Sequence, residues 1–268
     1  MTNKLLLRKN FSTENILTSW RSRPGINTIR RIRNLIKALS RRLRAPLDRR
    51  YALLRLNTYH SKPRTLDEVI DWAMNFGGGG YFTIKTMQIP FEISTLARRV
   101  CNLKPKIILE IGTMRGGTLL IWTQLASERV ISCDLRDYSI CKVNRLLISL
   151  PPPTSECKVD LLSGDSHTPA FKNKVAQTLR GQKVDFLFID GDHSSSGVKQ
   201  DYLDYKEFVR PGGLIAFHDI VEKQPIPGNE VYQFWITLKE KEKTEEIVQS
   251  PEQVGFGIGI VEVPQPLP

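Results

Sequence analysis

The segment KIILEIGTMRGGTLLIW, residues 106–122, decides the fold class of this chain. It reads as a short apolar strand, a glycine-rich turn and the start of an apolar helix. Glu110 ends the strand and Gly112 permits a tight turn. Gly116 and Gly117 allow a ligand to approach the backbone where the helix begins. A strand that passes into a helix in this way is typical of a parallel sheet covered by helices on both faces.

The same alternation of strands and helices continues through the second half of the chain. The apolar runs predict strands at 106–111, 129–134, 157–162, 184–190 and 213–218, with helices between them at about 117–126, 138–149, 169–179 and 197–209. After a further helix at 230–241, segments 245–249 and 254–263 add two strands with only about four residues between them, too few for a helical crossover. The sequence therefore predicts an α/β fold, with a doubly wound, mostly parallel seven-stranded Rossmann-like sheet and a terminal antiparallel hairpin.

The charge distribution divides the chain into two domains. Residues 1–64 hold 17 Lys and Arg against two acids, Glu14 and Asp48, whereas the remaining residues hold 22 bases and 26 acids. We therefore expect a basic helical extension at 1–64 and a mildly acidic globular domain at 65–268. A helix is expected at 65–75, with Thr65 as its N-cap and Glu68 as the capping-box partner.

Residues 26–47 of the extension predict an amphipathic helix with a basic polar face. Three readings of this helix stay open: packing on the main domain or on a partner protein, binding to an anionic membrane surface, and contact with nucleic acid. Nucleic acid is the least favoured, because no aromatic residues lie between the bases to stack on nucleotides. The extension is also a plausible contact element in a homo-oligomer, and an organellar transit peptide would have the same Arg-rich composition.

The composition excludes several classes of protein. No apolar run approaches the roughly 20 residues that cross a bilayer, and the start of the chain lacks the apolar core of a secretory signal. The four cysteines show no CxxC spacing, so we interpret them as reduced. We therefore expect a cytoplasmic protein, and peripheral attachment to a membrane through the basic helix stays one of the open readings.

The turn after the first strand limits the class of ligand. Asp134 ends the second strand, where a carboxylate can accept hydrogen bonds from the hydroxyls of a ribose. A P-loop would need Lys and Ser or Thr after its glycines, but Thr118 and Leu119 follow Gly117. The turn also lacks the GxGxxG of dinucleotide-binding proteins. Its pattern, ExGxxxGG, favours the positively charged cofactor S-adenosylmethionine, since the acid at the strand end would repel a pyrophosphate.

Two later strand ends carry titratable side chains. The stretch FIDGDHSSSGVKQD, residues 188–201, places Asp190 at the end of the fourth strand, with Asp192 and His193 directly after it. The fifth strand ends with His218 and Asp219. Small ligands bind outside the carboxyl ends of the strands in doubly wound sheets, so these residues are candidates for a functional site.

These motifs together resemble a known family. From about Gln88 to Val263 the chain is similar to class I S-adenosylmethionine-dependent methyltransferases, in the branch related to macrolide-sugar O-methyltransferases and cephalosporin-hydroxylase-like proteins. The resemblance rests on ILEIGTMRGGTLLIW, GDSH at 164–167, VDFLFIDGDHSSSGVKQDYLDYKEFVRPGGLIAFHDI at 184–220, and FGIGIV near the end. Residues 1–64 carry no motif of this family.

The resemblance implies a role for each matching residue. For the cofactor it implies Glu110, Gly112 and Gly116 at the methionine end, Asp134 at the ribose, and Asp165 with Ser166 at the adenine. It also implies Mg²⁺, held at the places occupied here by Asp190, His218 and Asp219. Similar enzymes often have two acids in the latter pair.

A metal-assisted mechanism follows as a hypothesis. Asp190 and Asp219 would hold Mg²⁺, with His218 as a third ligand or a neighbour of the ligands. The ion would lower the pKa of an acceptor hydroxyl, and Asp192 or His193 would take the proton. The acceptor would be a small molecule or a glycan, and the products would be a methyl ether and S-adenosylhomocysteine.

Other readings of the same residues stay open. An oxidoreductase of the cephalosporin-hydroxylase-like kind would need iron, for which His193, His218 and an Asp could form a two-histidine, one-carboxylate set. A third reading is a cofactor-binding protein without turnover. His167 is a further candidate for contact with the acceptor, whereas Asp201 and Tyr202 are expected on the helix surface and in its packing.

Overall fold

The computed structural model describes residues 24–265, with side chains from residue 32 onward. Residues 1–23 of the predicted extension lie outside the described residues. The chain divides into two compact units between Ala45 and Pro46. None of the helices in the described part of the chain is long and apolar enough to cross a membrane.

The first helix, α1, runs from Pro24 to His60 and extends beyond the predicted 26–47. Pro46 lies inside it, where the residue removes a backbone donor from the helical ladder. After Pro46 the helix is part of the same compact unit as the sheet. The side chain of Tyr59 is buried there and packs edge-on against Trp72 at 5.4 Å between ring centroids. The predicted domain boundary after residue 64 stays a prediction.

Seven further helices follow. Helix α2 spans Leu66–Asn75 and begins with the predicted capping box between Thr65 and Glu68, which is confirmed. The others are α3 Pro90–Leu103, α4 Gly117–Leu125, α5 Val143–Ile148, α6 Pro169–Leu179, α7 Ser195–Tyr205 and α8 Val231–Lys239. Helix α5 is shorter than predicted, because Cys141 and Lys142 have positive φ angles, which a right-handed helix does not accommodate.

The strands form one seven-stranded sheet. They are β1 Ile107–Ile111, β2 Arg129–Asp134, β3 Lys158–Ser163, β4 Val184–Ile189, β5 Val209–His218, β6 Thr244–Ile247 and β7 Ile258–Glu262. The order across the sheet is β3-β2-β1-β4-β5-β7-β6. Strands β1 to β5 are parallel, and β7 lies antiparallel between β5 and β6. The predicted fold class, a mostly parallel Rossmann-like sheet with a terminal antiparallel pair, is confirmed.

The connection within the terminal pair differs from the prediction. Residues 248–257 separate the two strands, instead of about four residues. Strand β7 starts late because Gly255, Phe256 and Gly257 all have positive φ angles, which are incompatible with extended pairing. This longer loop brings Phe256 to the functional cavity described below.

The centre of the sheet is buried on both faces and mostly apolar. All residues of β1 and β4 are buried, and the indole of Trp122, from α4, packs against Phe186 and Phe188 at centroid distances of 5.1 and 5.5 Å. Strands buried on both faces are expected in parallel sheets, where helices cover each side. The core thus holds β1 and β4 side by side and in register.

The carboxyl ends of β1 and β4 meet through their backbones. The amide of Asp190 donates a hydrogen bond to the carbonyl of Ile111 at 2.8 Å. Gly112 has a φ of 108°, and a Cβ at this position would overlap the carbonyl oxygen of Asp190. Only glycine therefore fits where the two strands turn into their loops.

This contact can be tested by substitution. We expect Gly112→Ala to lower the free energy of unfolding by about 3 kcal/mol, because the backbone strain of alanine and its steric overlap with Asp190 both destabilise the folded state. Gly181→Ala is the matched control, since Gly181 also has a positive φ, 80°, but nothing lies within 4 Å of the added Cβ. The control should cost only about 1 kcal/mol. If both variants lost the same free energy of unfolding in urea, the close approach of Gly112 to Asp190 would not be a constraint.

Candidate functional site

A cavity of about 840 Å³ lies at the carboxyl edge of the parallel strands. Its volume falls within the range of small-molecule and cofactor sites. Nine of the eleven residues predicted for the site line it: Gly112, Asp134, Asp165, Ser166, Asp190, Asp192, His193, His218 and Asp219. Glu110 and Gly116 are not among the lining residues.

Glu110 is buried beneath helix α4. Its carboxylate accepts a hydrogen bond from Trp122 Nε1 at 2.9 Å and another from the hydroxyl of Ser132. Burial raises the pKa of Glu110 to about 7. Gly116, with a φ of 70°, is the N-cap of α4 and packs against Leu147. Both residues thus support the turn from within the protein and lie away from the cavity.

Asp134 closes the turn from the other side. Its Oδ2 accepts hydrogen bonds from the amide of Met114 at 2.6 Å and from the hydroxyl of Tyr138 at 2.8 Å. Its Oδ1 accepts one from the amide of Arg136 at 2.8 Å. A carboxylate has about four acceptor positions, so these three bonds leave capacity for a ligand hydroxyl. The side chain of Asp134 is therefore held in place and can still accept a hydrogen bond from a ligand.

The turn after β3 brings Asp165 and Ser166 to the cavity. Asp165 Oδ1 accepts a hydrogen bond from the amide of His167 at 3.0 Å, and the carbonyl of Ser166 accepts one from the hydroxyl of Tyr205 at 2.7 Å. These bonds determine the shape of the turn. Both residues lie where the resemblance implies contact with adenine, and that contact stays a prediction.

Asp201 lies in a different environment from the one expected. It is fully buried, and its Oδ1 lies 3.3 Å from His167 Nε2, whereas Tyr202 packs against Phe217 as expected. Burial raises the pKa of Asp201 to about 6. The spacing Val198, Asp201, Tyr202 and Tyr205 follows one helix face, so the periodicity of α7 could have placed Asp201 inside.

Four side chains from two strand ends converge in what we term the acid–histidine cluster: Asp190, His193, His218 and Asp219. His218 Nδ1 lies 3.3 Å from Asp190 Oδ1 and 3.2 Å from Asp219 Oδ1. His193 Nε2 lies 3.3 Å from an oxygen of each of the same two carboxylates. The two acids thus share both imidazoles.

Two amide side chains hold the carboxylates of the cluster. Gln88 Nε2 donates to Asp190 Oδ2 at 2.7 Å, and Asn229 Nδ2 donates to Asp219 Oδ2 at 2.6 Å. Neither residue was identified from the sequence, because Gln88 precedes the first strand and Asn229 lies in an irregular loop, each outside any motif. Their contribution depends on tertiary contacts alone.

The charges of the cluster are strongly coupled. Burial alone would raise the pKa of Asp190, but the imidazoles of His218 and His193 outweigh it and hold this pKa at about 2. Burial lowers the pKa of His218, and the neighbouring carboxylates of Asp190 and Asp219 outweigh that effect and raise it to about 9. At neutral pH, Asp190 is therefore ionised and His218 carries a proton.

The cluster also fits a divalent metal ion. One ligand atom each from Asp190, His193 and Asp219 can be chosen so that all lie within 4.8 Å of one another. Two carboxylates with an imidazole suit divalent cations. His218, predicted as a ligand, is not in this set, and His193, predicted as a base, is in it. The choice between these two histidines stays a prediction.

Asp192 lies apart from the cluster. Its Oδ1 accepts a hydrogen bond from the amide of Ser194 at 2.8 Å, and its carboxylate packs against Gly197 in the first turn of α7. Burial raises its pKa, but the hydrogen bonds from Ser194 outweigh this and lower it. Asp192 lines the cavity, but its local bonds stabilise the loop.

Comparison with known proteins identifies a family for the central segment. Residues 109–220 match the family model described as "Methyltransferase domain". This segment contains the glycine turn, Asp134 and the acid–histidine cluster. A search of curated proteins found no significant match.

Solved structures share the fold. The O-methyltransferase TomG of Streptomyces achromogenes, in complex with SAM, has a TM-score of 0.52 at 15% identity, over 76% of this chain and 92% of that chain. An O-methyltransferase from Bacillus cereus, in complex with SAH, has a TM-score of 0.51 at 16% identity, over 75% and 92%. The MycE methyltransferase of mycinamycin biosynthesis, in complex with Mg, SAH and mycinamycin VI, has a TM-score of 0.51 at 18% identity, over 76% and 56%. The chain thus spans little more than half of MycE.

The buried position of Glu110 gives a test that separates support from ligand contact. Its folded pKa of about 7 lies above the reference value of 4.5, so the buried carboxylate is costly once ionised. Glu110→Gln should therefore gain stability relative to wild type as pH rises from 4.5 to 7, by up to about 3 kcal/mol, and the difference should stay constant above pH 7. Denaturant unfolding at a series of pH values measures this.

The same variant should keep its affinity for S-adenosylmethionine, because the side chain does not line the cavity. A loss of affinity without loss of stability would instead place Glu110 in contact with the cofactor.

Proposed function

Because residues 109–220 match the methyltransferase-domain family model, we propose that this protein is an S-adenosylmethionine-dependent O-methyltransferase that uses Mg²⁺ and acts on a hydroxyl of a sugar or another natural product. One observation carries the proposal: Gly112 and Asp134 line the same cavity as the acid–histidine cluster. Methyl transfer to oxygen requires the methyl donor and the group that activates the hydroxyl to lie side by side. The names of TomG and MycE, which describe O-methylation and a methyltransferase with Mg, support this reading.

The cofactor would occupy the part of the cavity formed by the turns after β1, β2 and β3. Asp134 has remaining acceptor capacity for ribose hydroxyls, and Gly112 lines the cavity beside it. Asp165 and Ser166 would border the adenine. When bound, S-adenosylmethionine supplies an electrophilic methyl group on its sulfonium. The residues of this chain bind and orient it.

The metal would be held by the acid–histidine cluster. Asp190 and Asp219 are fixed by Gln88 and Asn229, so their oxygens are pre-positioned rather than mobile. Pre-positioned ligands lower the entropy that binding must remove. When bound, Mg²⁺ acts as a Lewis acid that lowers the pKa of a hydroxyl oxygen.

His193 is the better candidate for the general base. Its side chain is 40% exposed and lines the cavity, whereas the side chain of His218 is only 6% exposed. Asp192 is engaged by Ser194, and its lowered pKa makes it a weak base. We therefore assign proton removal to His193, and a structural or metal-ligand role to His218.

The acceptor would occupy the other part of the cavity. Met87, Ile226 and Phe256 line it with apolar surface, and His167, whose Nε2 lies 3.3 Å from Asp201 Oδ1, adds a polar group. An apolar wall beside a polar cluster suits an acceptor that carries hydroxyls on a partly hydrophobic skeleton. The loops at 85–88, 222–229 and 248–257 supply this surface, as far as the described residues show.

A second function is compatible with the same cluster. His193 and His218 both lie 3.3 Å from Asp190 Oδ1, which gives the two-histidine, one-carboxylate set that non-haem iron enzymes use. Iron-dependent turnover with dioxygen would favour the oxidoreductase. A third outcome, cofactor binding without turnover, would leave a binding protein of the same fold.

The cofactor site is tested by calorimetric titration with S-adenosylmethionine and S-adenosylhomocysteine. Asp134→Asn should weaken binding about 10- to 100-fold, since hydrogen bonds to a charged acceptor contribute about 1.5–3 kcal/mol. Asp137→Asn is the matched control, because it removes the same charge three residues away, at an exposed position outside the cavity lining. No binding to wild-type protein, with magnesium or with chelator, would refute the proposed function.

The metal site is tested with Mn²⁺, whose free-ion electron paramagnetic resonance signal falls on binding. Asp219→Asn should weaken binding at least about tenfold, because it removes a carboxylate ligand. Asp71→Asn, at an exposed site, should leave it unchanged. His193→Ala decides the role of that residue: unchanged Mn²⁺ affinity fits a base, and weakened affinity fits a ligand. Oxidation of an acceptor with Fe²⁺ and dioxygen, without methyl transfer from S-adenosylmethionine in the presence of Mg²⁺, would favour the oxidoreductase.

A further inference from the structure

The first part of α1 carries an exposed apolar surface. We define the apolar stripe as Ile32, Leu35, Ile36, Leu39 and Leu43. Their side chains are between 50% and 74% exposed. At 100° per residue these positions fall within one sector of the helix. Burial of such a stripe requires a partner surface.

The remaining face of the same segment is basic. Arg33, Lys37, Arg41 and Arg44 fall on the side of the helix opposite the apolar stripe, and Arg42 flanks the stripe. Residues 24–45 contain no acid. No neighbouring carboxylate in the segment therefore neutralises this charge.

Charge complementarity selects the surface that the stripe would bind. We propose that residues 24–45 of α1 lie on an anionic lipid surface, with the apolar stripe in the acyl boundary and the bases at the headgroups. A helix with one apolar face and one polar face rich in Lys and Arg binds bilayers in this orientation. Long basic side chains reach the headgroups while their stems stay in apolar surroundings. At about 1.5 Å per residue, the segment would lie along about 33 Å of surface.

Two other partners fit the segment less well. Ile32, Ile36, Leu39 and Leu43 follow the four-three-four spacing of a coiled coil, but the next position of this spacing is Pro46. Pairing with a second copy would also bring bases against bases without acids in residues 24–45. A nucleic acid would match the charge and leave the apolar stripe in water, with no aromatic residue of the segment to stack on bases. Of these three surfaces, the anionic lipid surface is the one that matches both the apolar and the basic face.

The test is flotation of the full-length protein with vesicles of phosphatidylcholine alone or mixed with phosphatidylglycerol. We expect binding to the anionic vesicles only, and weaker binding at high salt. Replacing Arg41 and Arg44 together by Glu should weaken binding to the anionic vesicles at least about 25-fold, since each basic side chain near an anionic surface raises the affinity about fivefold. The matched control replaces the exposed Lys241 and Lys243 by Glu, which is the same change of charge, and should bind as wild type.

A second variant tests the apolar stripe without a change of charge. Ile36→Gln combined with Leu43→Gln keeps good helix formers and should weaken vesicle binding about 100-fold or more, because two apolar side chains lose their burial. Circular dichroism verifies that the helix persists. The proposal would be overturned if the wild-type protein did not bind anionic vesicles, or if the glutamine variant bound them as tightly as wild type.

The same proteins distinguish the remaining partners. Sedimentation velocity that shows a dimer, lost in the glutamine variant, without vesicle binding would overturn the proposal in favour of self-association. Tight binding of a labelled oligonucleotide without vesicle binding would overturn it in favour of nucleic acid. The inference does not depend on the proposed methyltransferase activity, and titration of the same variants with S-adenosylmethionine separates a failure of one from a failure of the other.

Discussion

The close contact between the carboxyl ends of β1 and β4 is the constraint on which the site depends. Gly112 lies against the carbonyl of Asp190, and the Asp190 amide bonds to Ile111. Any side chain larger than hydrogen at residue 112 would force these strand ends apart. Because the glycine turn starts on one side of this contact and the acid–histidine cluster on the other, a single backbone approach joins the predicted cofactor site to the predicted metal site.

The acid–histidine cluster is stable in a buried place because its charges are paired. Burial by itself would favour the neutral forms of Asp190 and His218, yet their proximity reverses both pKa shifts. Breaking one side of such a pair would leave the other charge without compensation. The amides of Gln88 and Asn229 add hydrogen bonds and fix the carboxylates. The cluster is therefore an electrostatic support of the fold, and its fixed carboxylates suit the cation site that we propose.

Acids at the ends of adjacent strands have different chemical roles. Glu110 and Asp134 both follow apolar runs, and the sequence assigns both to the cofactor. Packing against Trp122 buries the carboxylate of Glu110, whereas Asp134 stays half-buried with acceptor capacity toward the cavity. The direction of each side chain depends on the position of α4 relative to the sheet. The local sequence predicts a strand and the turn that follows it. It does not predict which face of the strand the next helix packs against.

The sequence by itself determined the strand and helix order, the parallel sheet with its antiparallel end pair, and the strand ends that carry the site. Local periodicity and glycine turns encode these features, because they depend on near neighbours. Tertiary structure decided which side chains meet: Gln88 reaches the cluster from a distant loop, Asn229 reaches it from the irregular loop after β5, and Asp201 turns inward toward His167. No helix or strand periodicity records these contacts. Their hydrogen bonds and charge pairs exist only once the apolar core has brought the strand ends together.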